Sequence, residues 1–204
     1  MDVAGGEDSI NLTKLQDFCE RSMRHAEDSV RSFLGDPLRL TLCGIHSLPS
    51  NALSVLSTDV ECGSMIGLYS RITGQGNGRV LILVPMPMAR RFLRALLGES
   101  NDPRPLTEME QSAIQEIGNI MSSSFLSRMG DLLGRRLLHS VPELYLENAR
   151  QLVREVQASV LAIGSRTLVV QGLLEDVRER AQGRFFVVSE MAALEPIVHA
   201  AIEK

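Results

Sequence analysis

The sequence predicts an internally duplicated α/β (α+β) fold, in which a long helix, strands and a closing helix are run through twice. Two local matches carry that reading. Gly78-Arg79-Val80 corresponds to Gly183-Arg184-Phe185, each opening a strand that leads into a terminal helix, and Gly35 and Gly134 each end a long helix. The competing reading is an α+β domain whose halves are alike by accident.

In the first half, Met1 to Asp8 is polar and Gly-containing, so a frayed start is expected. Leu15, Phe18, Ser22, Ala26, Ser29 and Phe33 recur at helical spacing, predicting a helix over Asn11–Leu34 stopped by Gly35. Leu38 to Leu48 alternates apolar and polar residues as a strand does. Asn51 to Thr58 fits either a short helix or a strand entry. Glu61–Ile72 and Gly78–Val84 read as strands joined by the turn-forming TGQGNG at Thr73–Gly78. Pro87–Leu97 reads as a helix ended by Gly98, and Glu99–Pro105 as a linker.

The second half opens on a helix start, because Thr107 is followed three residues later by Glu110 at capping-box spacing and Pro105 lies just before. Gly134 suits its left-handed stop. At about 100° per residue, Ile114, Ile117, Met121, Phe125 and Leu132 gather on one side of this helix. Ser112, Glu116, Asn119 and Ser123 gather on the other, within about 60° of one another. Asn is a poor helix former, since its amide competes for backbone hydrogen bonds. Gly118 beside it costs about 1 kcal/mol relative to Ala in a helix interior. A Gly-Asn pair in mid-helix is therefore a local penalty of the kind found at functional sites. A strand-like stretch at Leu137–Leu146, a short helix at Ala149–Gln157, strands at Ser159–Leu174 and Gly183–Ser189 and a helix over Met191–Ile202 complete the half.

Ser112, Glu116, Asn119 and Pro142, separated by three, two and twenty-two residues, match every fixed position of a known signature. In this the chain resembles the CheC/CheX/FliY chemotaxis phosphatases, and LTEMEQSAIQEIGNIM looks most like the second motif copy of CheC. The resemblance in length and layout covers nearly the whole chain. It implies a single CheC-like domain over 1–204, with half-repeats at about 10–98 and 106–203. In such a domain two long helices pack side by side with an antiparallel sheet in a pseudo-twofold sandwich.

The implied activity is hydrolysis of the aspartyl phosphate of a CheY-type response regulator. That chemistry needs an in-line water and neutralised phosphoryl oxygens, with little covalent help from the enzyme. The resemblance implies that the regulator brings its own Mg²⁺ and Lys, so no cofactor is expected here. An amide suits the remaining task, and Asn119 is the expected water-orienting residue. Glu116 is expected to ion-pair with the regulator's Lys, Ser112 and Ser123 to assist docking, and Pro142 to shape the loop entering the next strand. The alternative is a non-catalytic adaptor that binds a response regulator or a CheD-type deamidase. A FliY-like switch role is disfavoured because nothing after Ile202 would form the further C-terminal domain of such proteins. A duplicated chain can complete its own pseudo-dimer, unlike the shorter CheX, so a monomer is expected.

CheC-type chains carry the signature in both halves. Matching Gly35 to Gly134 sets Thr13 opposite Ser112, Asp17 opposite Glu116, Glu20 opposite Asn119 and Cys43 opposite Pro142. Every fixed position departs. An amide both donates and accepts, whereas ionised Glu only accepts and would repel a phosphoryl group, so one intact site is expected.

Composition excludes other classes. Net charge is −4 and aromatics are 4% with no Trp, so the basic stripe and stacking platforms of nucleic-acid binders are missing. No apolar run is long enough for a bilayer and the N-terminus does not resemble a signal peptide, which predicts a cytoplasmic protein with no membrane partner. Cys19, Cys43 and Cys62 lack CxxC spacing and the four histidines are scattered, so neither a disulfide framework nor a metal site is expected. P-loop, GxSxG and HExxH patterns are absent, and GQGNG reads as a hairpin turn rather than a phosphate cradle.

Overall fold

The computed structural model describes residues 5–35, 38–49, 65–98, 104–146, 149–161, 166–176, 178 and 181–190. In chain order these form α1 (Gly5–Leu34), β1 (Leu38–Pro49), β2 (Met65–Gly74), β3 (Gly78–Pro85), α2 (Met86–Leu97), α3 (Glu108–Leu133), β4 (Leu137–His139), β5 (Glu143–Tyr145), α4 (Ala149–Leu161), β6 (Arg166–Asp176) and β7 (Gln182–Glu190). The expected α/β class with an antiparallel sheet and long helices is observed. The stretch Asn51–Thr58, the expected helix over Met191–Ile202, Cys62 and His199 lie outside the described residues.

The sheet runs β1-β6-β7-β3-β2-β4, with β5 also paired to β2, and all its pairings are antiparallel. Side chains alternate across it. On β3, Val80, Ile82 and Val84 enter the core under α1, α2 and α3. Leu81 and Leu83 point the other way, and pack with Phe186, Val188 and the α4 residues Leu152, Val153 and Val156. A strand buried on both faces needs a near-continuous apolar run, and VLILV supplies it. Across the main core Phe125 of α3 meets Phe185 of β7 with ring centroids 5.1 Å apart, a tilted aromatic contact that fixes the helix over the sheet.

The strand order reads the same from either edge once β1 is matched to β4/β5, β2 to β6 and β3 to β7. Three residues on from the paired glycines Gly78 and Gly183, Leu81 faces Phe186 directly across the β3–β7 ladder. The glycines themselves share one steric reason. A Cβ at Gly78 would collide with the Val188 carbonyl oxygen, and one at Gly183 with that of Leu83, the equivalent atom of the other half. Edge strands are exchanged between halves, since β1 lies on β6 while β4 and β5 lie on β2.

Several elements differ from expectation. α1 begins at Gly5, so residues expected to fray are helical. Its buried stripe is rotated toward Cys19, Met23, Ala26, Val30 and Leu34, leaving Phe33 43% exposed. The helix touches both α3 and β1, so its burial wraps wider than one apolar row. Ser159–Leu161 continues α4 rather than opening a strand. The stretch Leu137–Leu146 is two three-residue strands, interrupted where Pro142 has no N–H to give the ladder.

Candidate functional site

α3 starts where the capping box places it. Thr107 Oγ1 accepts from the Glu110 N–H at 3.3 Å, and Glu110 Oε2 accepts from the Thr107 N–H at 2.7 Å. Glu110 does more than cap. Its side chain, 2% exposed, also accepts from Arg104 at 2.7 Å and from Arg90 of α2 at 3.2 Å. The Arg104 guanidinium, helped by the Thr107 bonds, holds this carboxyl down to about 2 against the opposing effect of burial. The helix ends at Gly134, left-handed at φ 63°, with the Arg135 N–H returning to the Gly130 carbonyl at 2.9 Å.

Between these anchors the predicted polar residues share one face. Ser112, Glu116 and Ser123 are exposed and Asn119 is half-buried, while Ile114, Ile117, Met121 and Phe125 are buried opposite. Asn119 Nδ2 donates to Glu116 Oε2 at 3.4 Å, so amide and carboxylate sit side by side one turn apart. Ser123 Oγ donates to the Ile120 carbonyl at 3.1 Å. Two large apolar residues are left in solvent nearby: Met109, 69% exposed one turn before Ser112, and Val141, 79% exposed next to Pro142.

Gly118 has a packing reason that the sequence did not show. A Cβ there would lie 2.8 Å from Leu68 Cδ1 of β2, so the helix rests its backbone on the sheet at this point. The glycine half of the local penalty therefore belongs to helix–sheet packing, and Asn119 alone remains unexplained by the core.

Pro142 is buried, and its carbonyl accepts from Gln115 Nε2 of α3 at 3.0 Å. The structure thus brings the distant Pro142 back to the helix carrying the other three motif residues. Gln115 is the residue that sequence reasoning missed. Its signal was a polar side chain inside the motif with a Gln at the matched position of α1, Gln16.

The equivalent residues of α1 are arranged otherwise. Thr13, Asp17 and Glu20 are exposed, with Asp17 bridged to Arg21 at 3.1 Å and Glu20 accepting from Gln16 at 2.9 Å. Cys43 is exposed on β1 at the register shift between Leu42 and Gly44. Cys19 is buried, its thiol pushed up to about 12 by that burial. Among the described residues no group of three or more His, Cys, Asp or Glu side chains is placed to hold a metal ion. Nor is any described helix long and apolar enough to cross a membrane.

A carboxylate and an amide on an open helix face cannot enclose a small substrate. They can act on a group presented by another macromolecule. Residues 109–146 match the CheC-like family. This CheC-like segment contains all four fixed positions and both short strands. CheY-P phosphatase CheC of Bacillus subtilis (strain 168) is 30% identical over 112 residues, which is 53% of this chain and 54% of that protein. The match therefore spans about half the length of that relative. Among solved structures, Thermotoga maritima FliY superposes over 100% of both chains with a TM-score of 0.70 at 17% identity. A chain of the FliG–FliM complex from H. pylori is matched over 93% of this chain and 98% of its own length, with a TM-score of 0.61 at 11% identity. At those identities the likeness is one of fold. The resemblance drawn from the motif and the fold class it implied are both borne out.

Proposed function

We propose that this chain hydrolyses the aspartyl phosphate of a CheY-type response regulator, through one site on α3. The observation that carries the reading is the Glu116–Asn119 pair on an exposed helix face, inside the segment that matches the CheC-like family. Hydrolysis of an acyl phosphate asks mainly for a positioned water and charge neutralisation. The regulator contributes Mg²⁺ and its Lys, and this chain contributes Asn119 to orient the water. Glu116 ion-pairs with the regulator's Lys and sets the docking register. The Asn119–Glu116 contact, at the long end of hydrogen-bonding distance, is readily given up to those partners. Ser112 and Ser123 extend the docking face, and Pro142, tied to α3 through Gln115, shapes its rim.

In this reading the chain acts as a cytoplasmic monomer, a single domain with half-repeats at about 10–98 and 106–203, and takes neither nucleic acid nor membrane as partner. A second reading, a non-catalytic adaptor for a response regulator or a CheD-type deamidase, is supported by α1, where Asp17 and Glu20 are engaged by their own helix. One experiment separates them: decay of a phosphorylated CheY-type receiver with the wild-type chain and with Asn119→Ala. Acceleration that vanishes in the variant is the expected result. Full activity in the variant removes Asn119 from the mechanism, and binding without acceleration by the wild type supports the adaptor.

A further inference from the structure

Beyond Asn119 the exposed face of α3 continues through Ser123 and Ser127 to Asp131, where it forms one wall of an open groove of about 420 Å³. The facing wall is the segment after Gly134, which contributes Arg135, Arg136 and His139. This wall is fixed from both sides. The left-handed Gly134 reverses the chain, and the Arg136 N–H donates to Gln75 Oε1 at 2.8 Å while the Gln75 N–H donates to the Arg136 carbonyl at 2.9 Å. His139 Nδ1 is in turn engaged with the Ser140 carbonyl at 2.8 Å.

The guanidinium groups of Arg135 and Arg136 form no hydrogen bond or ion pair among the described residues. Asp131 is the single carboxylate lining the groove. In a chain of net charge −4 this is a local excess of positive charge on rigid backbone. At about 1.5 Å per residue, Ser127 lies only about 12 Å along the helix from Asn119. One partner domain can therefore cover the groove and the Glu116–Asn119 pair together.

We infer that this groove receives a carboxylate-bearing segment of the phosphorylated protein whose phosphoryl group is presented to Asn119. The inference rests on the proposed function. Two guanidinium groups and a single carboxylate facing each other across the groove make a carboxylate-bearing segment of the partner, outside its phosphorylation site, the charge complement of Arg135 and Arg136. Exposed charges of this kind act on encounter and affinity rather than on the chemical step, and salt weakens them.

The test uses the full chain and a phosphorylated CheY-type receiver at low and high ionic strength. It compares wild type with Arg135→Glu/Arg136→Glu and with Arg135→Lys/Arg136→Lys. The charge reversal is expected to raise KM about tenfold at low salt, leave kcat unchanged and flatten the salt dependence, with the lysine pair close to wild type. Circular dichroism and a thermal melt establish that each variant is folded, and the single Arg136→Glu variant at an exposed position repeats the test at lower structural risk. An active wild type whose KM and salt response survive charge reversal overturns the groove alone, as does a fall in kcat at constant KM. A wild type that neither binds nor dephosphorylates any receiver overturns the reading of the site, and the groove with it.

Discussion

The two long helices pack against the sheet at matched places and end on matched glycines, yet only α3 carries the Glu and Asn of the motif, Glu116 and Asn119, where α1 has Asp17 and Glu20. The difference extends beyond the motif positions. On α3, Gln115 reaches off the helix to the Pro142 carbonyl; on α1, the matched Gln16 folds back along its own helix to Glu20. The opposing strands differ in the same way. β4 and β5 are broken at Pro142, whereas β1 runs through Cys43 with a shift of register between Leu42 and Gly44. Together the pairs teach that the site comprises a helix face and the interrupted strand beside it, held in register by Gln115. The first half differs in both parts.

The largest effect expected from this contrast is catalytic. Asn119→Ala should lower receiver dephosphorylation at least about 100-fold, while Glu20→Ala at the matched position leaves it unchanged. Equal losses in the two variants would erase the distinction between the halves. Next is the anchor of α3, for which α1 shows no described counterpart. Glu110→Gln should destabilise the fold by about 3 kcal/mol at neutral pH, read from urea midpoints. Because the carboxyl is held down from 4.5 to about 2, its contribution is complete above about pH 4.5 and is lost as the pH falls toward 2. Wild type and variant should converge in acid, and a constant gap across that window would show that the ion pairs do not set the effect.

The paired glycines sharpen the likeness instead. Gly78→Ala and Gly183→Ala should each cost about 2 kcal/mol or more, and by similar amounts, since each Cβ meets the same carbonyl of the opposite half. A large inequality between them would break the pseudo-twofold as an energetic fact. The smallest effect separates the glutamines. Gln115→Ala should lower activity severalfold by freeing the Pro142 loop, with Gln16→Ala within about 0.5 kcal/mol of wild-type stability and unchanged in activity.

Much of this was legible in the chain. The Thr107–Glu110 cap, the Gly134 stop and the polar face at Ser112, Glu116, Asn119 and Ser123 follow from local spacing, which a helix preserves in three dimensions. What resisted reading depends on contacts distant in sequence. Gly118 reads as a penalty until Leu68 of β2 is placed beneath it. Arg90, twenty residues from Glu110, has no local sign of pairing with it. The buried stripe of α1 turns toward Cys19 and Met23 because the helix packs against both α3 and β1, and Ser159–Leu161 is too short a stretch for its pattern to tell a strand from the helix that continues through it.

The exchange of edge strands has a consequence for how the chain reaches its native state. β1 finds its partner in β6, and β2 pairs with β4 and β5 as well as with β3, so neither half can complete its own sheet. Loop-closure entropy must be met before the pairings between the halves form, which predicts slower folding than local pairing alone would give. Severed between α2 and α3, the molecule would become two fragments, each keeping one hairpin (β2–β3 or β6–β7) but finding the partners of its edge strands only on the other.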